Sequence, residues 1–153
     1  MTMVPRAISV FALVAWLGLP LAALDAMDVK EYANAGIDDP WMIKNFVDHL
    51  KIAVASDDAK TLSRMVSYPL AEYEMSKDGY CLFTRIIRTP KQFIAEYSDI
   101  FTDDVKAAIR KSPDEHLFSR DSGVMIGNGE VWMNLIGHDI TIIAMNRSVK
   151  TWH

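Results

Sequence analysis

The segment SGVMIGNGEVWMNLIGHDITIIAM, residues 122–145, decides the fold because it predicts three consecutive strands. Asn128-Gly129 indicates a two-residue turn, since both central positions of a type I′ turn need positive φ. Gly137-His138 indicates a second tight turn. Folding the segment at these turns predicts four cross-strand pairs: Ile126 with Val131, Val124 with Met133, Leu135 with Ile140, and Met133 with Ile142.

Alternation of side chains gives this predicted meander one wholly apolar face and one mixed face. The apolar face consists of Val124, Ile126, Val131, Met133, Leu135, Ile140, Ile142 and Ala144. The mixed face consists of Met125, Glu130, Trp132, Asn134, Thr141, Ile143 and Met145. We expect helices to cover the apolar face and to leave the mixed face available for contacts.

Helix signals precede the meander. Asp39-Pro40 supplies an N-cap and a proline at the first helical position, and the apolar spacing that follows predicts an amphipathic helix over 40–55. A second helix is predicted after Ser56-Asp57-Asp58 and is expected to end at Tyr68-Pro69, because the residue before a proline avoids the α region. Two shorter helices are predicted after Thr89-Pro90, a capping box, and after Thr102.

The remaining strands complete an α+β pattern. Strands are predicted at 70–75 and 80–87, joined by a turn over 76–79, and a short strand at 116–119 leads into the meander. The last strand is expected to extend toward Trp152. This order predicts an α+β fold in which the N-terminal helices pack on one face of a curved antiparallel sheet.

Composition and charge limit the classes of function. The chain has 153 residues, of which 50% are hydrophobic and 24% charged, values typical of one folded domain. Its formal net charge is -4, and lysines and arginines do not cluster. The sequence therefore predicts no nucleic-acid partner.

The N-terminus predicts export. Arg6 precedes an apolar run over 7–23 that contains Gly18 and Pro20, and alanines at 23 and 26 are candidate cleavage sites. This pattern is typical of a secretory signal peptide, residues 1–26, followed by a single domain over 27–153. We expect a periplasmic or secreted protein with no stable membrane insertion after signal removal; an uncleaved anchor is the alternative.

The sequence contains no recognisable catalytic or metal-binding motif. Cys81 is the only cysteine, which excludes an internal disulfide, and its position in a predicted strand favours a buried side chain. The four histidines are scattered along the chain without paired spacing. The sequence therefore predicts no metal site and no cofactor.

The order of elements resembles the cone-shaped fold of the NTF2-like (cystatin-like) superfamily, which includes nuclear transport factor 2 and ketosteroid isomerase. Locally, SYPL at 67–70, the segment 93–101 and GVMIGNGEVW at 123–132 resemble small exported bacterial proteins of unknown function in that superfamily. The resemblance implies a fold and an envelope location. It does not imply an activity, because the fold hosts enzymes as well as binding and dimerising modules.

The mixed face is the predicted interaction site. Apolar patches with polar rims mark binding surfaces, and tryptophan and methionine are frequent in them. The face comprises Trp132, Met125, Glu130, Asn134, Ile143 and Met145. We expect a non-enzymatic domain that binds a protein partner or forms a homodimer through this face, as an envelope or immunity-type module would.

A ligand-binding or isomerase-like function is the alternative. The resemblance implies that such members place acids, bases and tyrosines between the helices and the sheet. The residues that could serve this purpose are Tyr73, Tyr97 and Asp99. The alternative interpretation of the mixed face is that another part of the chain covers it.

Overall fold

The structure, a computed structural model, describes residues 31–75, 80–114 and 116–147. The predicted signal peptide, the turn over 76–79 and the extension toward Trp152 lie outside these residues. The helices are α1 (Pro40–Ala55), α2 (Ala59–Arg64), α3 (Pro90–Ala95), α4 (Tyr97–Ile100) and α5 (Asp103–Lys111), preceded by a 3₁₀ turn at Ala33–Ala35. The strands are β1 (Val66–Met75), β2 (Cys81–Ile87), β3 (Phe118–Arg120), β4 (Gly123–Ile126), β5 (Val131–Ile136) and β6 (Asp139–Arg147).

The helix starts confirm the capping predictions. Asp39 accepts a hydrogen bond from the Trp41 backbone N–H at 2.9 Å, and α1 has the predicted bounds. Thr89 and Thr102 cap α3 and α5 through their side-chain oxygens. These caps satisfy backbone donors that the first turn of a helix leaves unpaired.

The second helix ends earlier than predicted. Asp58 caps α2, but the helix stops at Arg64, and Tyr68-Pro69 lies inside β1, where its peptide bond is cis. The Met65 carbonyl accepts a hydrogen bond from the Ile142 N–H at 2.8 Å. Pairing with β6 therefore takes the chain out of the helix three residues before the position that the proline alone indicated.

The predicted α+β fold is confirmed, and the sheet is mixed at one junction. Its six strands follow the order β2-β1-β6-β5-β4-β3, and every neighbouring pair is antiparallel except β1 and β6, which run parallel. The β1–β6 junction joins the first hairpin to the C-terminal meander. β1 and β6 are far apart in sequence, and parallel strands are not joined by a tight turn. No turn signal in the sequence could therefore have indicated that these two strands pair.

All four predicted pairs of the meander are observed. The first turn differs in type: residues 127–130 form the loop, and positive φ occurs at Gly127 and Gly129 but not at Asn128. The second turn is the two-residue Gly137-His138, with positive φ at the glycine only, as in a type II′ turn.

A bulge in β6 reverses the predicted orientation of its C-terminal residues. The register shifts so that Met133 pairs with Ile142 while Trp132 pairs with Ala144, which leaves Ile143 unpaired. Met145 is consequently fully buried, whereas Ala144 lies on the same face as Trp132. The predicted orientations of Ala144 and Met145 were therefore wrong, because nothing in a continuous apolar run indicates where a bulge occurs.

The helices cover the predicted apolar face. A row of paired residues on this face is buried in the core: Val124, Met133, Ile142 and Val66, from β4, β5, β6 and β1. Both α1 and α5 pack against β6, and α2 packs against β1. Leu135, near the end of the sheet, is only partly buried. Among the described residues, no helix combines the length and the apolar character needed to cross a membrane.

Candidate functional site

The opposite face of the sheet carries a continuous apolar row. Cross-strand pairing aligns one residue from each of the six strands, and every one of them is at least partly exposed. This outer row consists of Phe118, Met125, Trp132, Ala144, Ala71 and Ile86. Soluble domains expose single apolar residues routinely, but a row that crosses a whole sheet is a contiguous patch.

Trp132, at the centre of the outer row, is held in place by a cation. The Arg120 guanidinium lies 4.7 Å from the centre of its ring, and Arg120 Nε donates a hydrogen bond to Ser122 Oγ at 2.8 Å. A cation over an indole face is attracted by the quadrupole of the ring. The contact leaves the side chain partly exposed in a defined orientation, which lowers the entropy that binding a partner would cost.

Four of the six predicted interaction residues lie on the outer face. Trp132 and Met125 are paired neighbours in the outer row, Ile143 lines a groove beside it, and Asn134 is on the same face of β5 as Trp132. The Asn134 side-chain oxygen accepts a hydrogen bond from the Leu135 N–H at 2.7 Å.

Glu130 and Met145 do not belong to the interaction face. Glu130 is buried in the loop between β4 and β5, where its carboxylate accepts a hydrogen bond from the Asn128 N–H at 2.6 Å. A Cβ placed on Gly127 would collide with Glu130 Oε2 and would lie 3.0 Å from the Ala108 side chain. The glutamate therefore folds into the loop beside α5, and the β6 bulge turns Met145 into the core.

A groove of about 320 Å³ adjoins the outer row. It is lined by Tyr73, Cys81, Arg120, Ser122, Trp132, Ile143, Ala144 and Asn146. Asn146 Nδ2 donates to the Gly129 carbonyl at 2.5 Å and so joins β6 to the neighbouring loop. The prediction that Cys81 is buried was wrong: its side chain is exposed in this groove.

The exposure of Cys81 follows from the position of β2 at the edge of the sheet. The first four residues of β2 are exposed, and burial begins only in its second half. Phe83 packs against Tyr73 in a T-shaped contact, with the ring centroids 6.0 Å apart, and remains 58% exposed. Leu82, on the other face of the strand, is 56% exposed. Both faces of this part of the edge strand therefore present apolar side chains.

The residues of the alternative pocket do not converge. Tyr73 lines the outer groove, whereas Tyr97 stacks on Phe101 in the helical layer, with the ring centroids 5.4 Å apart. The Tyr97 hydroxyl donates to Asp57 at 3.0 Å; burial and this hydrogen bond raise the pKa of Tyr97. Asp99 is exposed. Tyr97 is thus a partly buried aromatic whose hydroxyl is hydrogen-bonded, and the three residues form no common site.

A different cleft of about 580 Å³ lies between the helices and the sheet. It is lined by Phe46, His49, Ile52, Ala53, Ser56, Asp58, Thr61, Arg64, Met65, Asp139, Ile140 and Thr141. Thr141 Oγ1 is buried and has no hydrogen-bond partner among the described residues. None of the residues predicted for a pocket lines this cleft.

A buried ionic cluster ties the first hairpin to the helical layer. The Glu72 carboxylate is fully buried and accepts a hydrogen bond from Arg85 Nε at 2.5 Å. Arg147 Nε lies 2.6 Å from its other oxygen without hydrogen-bond alignment, and Arg85 Nη1 lies 2.6 Å from Glu96 Oε2. Burial lowers the pKa of Arg85, but the hydrogen bond and charge of Glu72 outweigh it, so the pKa is raised.

Part of the outer row was not predicted from the sequence. Ala71 and Ile86 belong to the first hairpin, whose place beside β6 no local signal indicates, and Phe118 belongs to a short strand whose register with β4 was not predicted. Arg120 was missed because the tryptophan it contacts lies on another strand. Within the described ranges, no group of three or more histidine, cysteine, aspartate or glutamate side chains could hold a metal ion.

Comparisons with protein-family models, with curated proteins and with solved structures gave no match to this chain.

Proposed function

We propose that this chain is an exported, non-enzymatic binding domain of the NTF2-like cone type, which binds a protein through the outer face of its sheet. The observation that supports the proposal is the outer row, an apolar surface that includes a residue of every strand and remains partly exposed. The arginine held over Trp132 and the adjoining groove add shape and one positive charge to this surface. Interfaces of this kind are enriched in tryptophan, methionine and arginine.

The proposal can be tested by site-specific photo-crosslinking. Trp132 is replaced by benzoylphenylalanine, and the variant is irradiated in the cells that naturally produce the protein. We expect a covalent adduct with a protein, because the outer row places this side chain at the centre of the contact. The mass of the adduct distinguishes a second copy of the chain from another protein.

Trp41 provides the matched control. It is also a tryptophan and is 50% exposed, but it lies in the first turn of α1, away from the outer face. The same replacement at Trp41 is expected to give no adduct above background. Equal adduct yields at the two positions, or no adduct at Trp132, would contradict binding through the outer face.

A second candidate function is the binding of a small molecule in the cleft between helices and sheet. The observation that favours it is the cleft volume, about 580 Å³, which falls in the range of small-molecule sites. Its lining combines apolar residues such as Phe46 and Met65 with charged residues such as Asp58 and Arg64, so a ligand could be held by both kinds of contact.

The Thr141 hydroxyl belongs to the outer face of the sheet, where Thr141 pairs with Asn134, and its oxygen is buried without a hydrogen-bond partner among the described residues. We expect Thr141→Val to raise the free energy of unfolding by about 1 kcal/mol, because it removes a buried polar atom that no described residue hydrogen-bonds and keeps the β-branched shape. Urea unfolding followed by circular dichroism gives the value. A loss of 1 kcal/mol or more would indicate that the hydroxyl is hydrogen-bonded in the free protein.

A further inference from the structure

The groove beside the outer row presents a cation and no anion. Its lining residues include Arg120 but no aspartate or glutamate. Arg120 is exposed; its Nε donates to Ser122, and its guanidinium lies over the Trp132 ring. Within the described ranges, the two terminal nitrogens of this guanidinium have no hydrogen-bond or ion-pair partner. Four N–H donors are therefore available to an acceptor that a partner brings.

Stacking on the indole prepares Arg120 to bind a carboxylate. A guanidinium held over an aromatic ring keeps its planar fork in one orientation, and that fork matches the two oxygens of a carboxylate. Because Nε is already bonded to Ser122, the terminal nitrogens form the side that a carboxylate would contact. A partner that covers Trp132 also removes water from the ion pair, and the lower local dielectric strengthens the attraction.

The groove has room for a short extended segment. Its lining residues come from β2, β1, β6 and β5, which are neighbours in the sheet, and from β3 and the turn after it. Neighbouring strands lie about 4.8 Å apart, so the first four strands span roughly 14 Å, the length of about four extended residues. Trp132, Ile143 and Ala144 form the apolar part of the lining. The groove therefore suits a segment that carries an acidic side chain among apolar ones.

From this geometry, and building on the proposed function, we infer that the partner is a different protein, whose segment in the groove carries an aspartate or glutamate that pairs with Arg120. A second copy of the chain is a poorer occupant, because two copies joined through this face bring two Arg120 side chains into one interface. Like charges that meet in an interface weaken it. Asp121, the neighbouring acidic residue, is exposed but does not line the groove.

A random library of short peptides displayed on phage, selected on the purified protein, tests the inference. We expect the bound sequences to be enriched in aspartate or glutamate next to apolar residues. Selection on Arg120→Gln is expected to lose this acidic preference, because glutamine still donates hydrogen bonds but has no charge. Arg110→Gln is the matched control and should keep the preference, since Arg110 is also exposed but lies in the last turn of α5, in the helical layer.

Calorimetric titration of a selected peptide measures the contribution of the ion pair. Replacing the acidic residue of the peptide by its amide should weaken binding to the wild type about tenfold. The same replacement should weaken binding to Arg120→Gln less than about twofold, because the pair is already broken there. Arg120→Lys keeps the charge without the planar fork, so we expect an intermediate loss.

Three results would overturn the pairing of Arg120 with an acidic partner. The first is the absence of any selected peptide, and the second is an acidic preference that is missing in the wild type or persists in Arg120→Gln. The third is an adduct at Trp132 that contains a second copy of the chain. In that case the proposed function would stand, since binding through the outer face would be retained and only the identity of the partner would be rejected.

Discussion

Replacement of Glu72 by glutamine is expected to lower the free energy of unfolding by about 2–3 kcal/mol. The Glu72 side chain is fully buried, and its two oxygens lie next to Arg85 and Arg147. Glutamine keeps the shape but removes the negative charge, so Arg147 loses its carboxylate partner and Arg85 retains only Glu96. Its amide N–H₂ would also face an arginine N–H, placing a donor against a donor.

Urea unfolding measures this loss, and Glu96→Gln is the matched control. Glu96 pairs with the same Arg85, but its side chain is 29% exposed. Because water screens and solvates this pair, we expect its replacement to cost about 1 kcal/mol or less. Equal losses for the two variants, or a loss below 1 kcal/mol for Glu72→Gln, would show that the Glu72 carboxylate does not stabilise the cluster.

Phe93→Ala is expected to cost about 3–5 kcal/mol through the cavity it leaves. The ring is fully buried, and its centroid lies 6.5 Å from that of Tyr68 and 5.8 Å from that of Phe101, both in edge-to-face geometry. The replacement removes these contacts together with the hydrophobic transfer energy of the ring. Neighbouring rings are too large to fill the space without leaving their rotamers.

The adjacent residue provides a control within the same helix. Ile94 is 43% exposed, and alanine is a better helix former, so Ile94→Ala should change the stability by less than about 1 kcal/mol. Urea unfolding of both variants gives the comparison. Similar values for Phe93→Ala and Ile94→Ala would mean that the aromatic cluster is loosely packed and closes around the missing ring.

Signals that act over a few residues were sufficient to predict much of the fold. Asp39-Pro40 fixes the start of α1 because Asp39 accepts a hydrogen bond from an N–H of the first turn and Pro40 has no N–H that needs a partner. The register of the meander follows from two short turns, since a shift by one residue would move the apolar residues to the opposite face. This constraint holds even though the first loop proved to have four residues.

Features that depend on distant partners could not be predicted. The bulge at Ile143 lies in an apolar run in which either orientation of Met145 buries a hydrophobic side chain. The early end of α2 depends on a hydrogen bond between Met65 and Ile142, which are far apart in sequence. The exposure of Cys81 depends on the place of β2 at the edge of the sheet and on the orientation of its side chain toward the outer face. The candidate site was therefore predicted at Trp132 and Met125 but not along its whole length.

The parallel junction between β1 and β6 has a consequence for how the chain folds. Without β6, the hairpin β1–β2 and the strands β3–β5 would have no strand in common. The two parts of the sheet can therefore join only when β6 pairs with β1. This pairing closes the long loop between β1 and β6, and closing so long a loop slows folding. Until β6 has paired, the edges of β1 and β5 that it covers stay unpaired. Unpaired strand edges promote aggregation, so the chain is most prone to aggregate before β6 is in place.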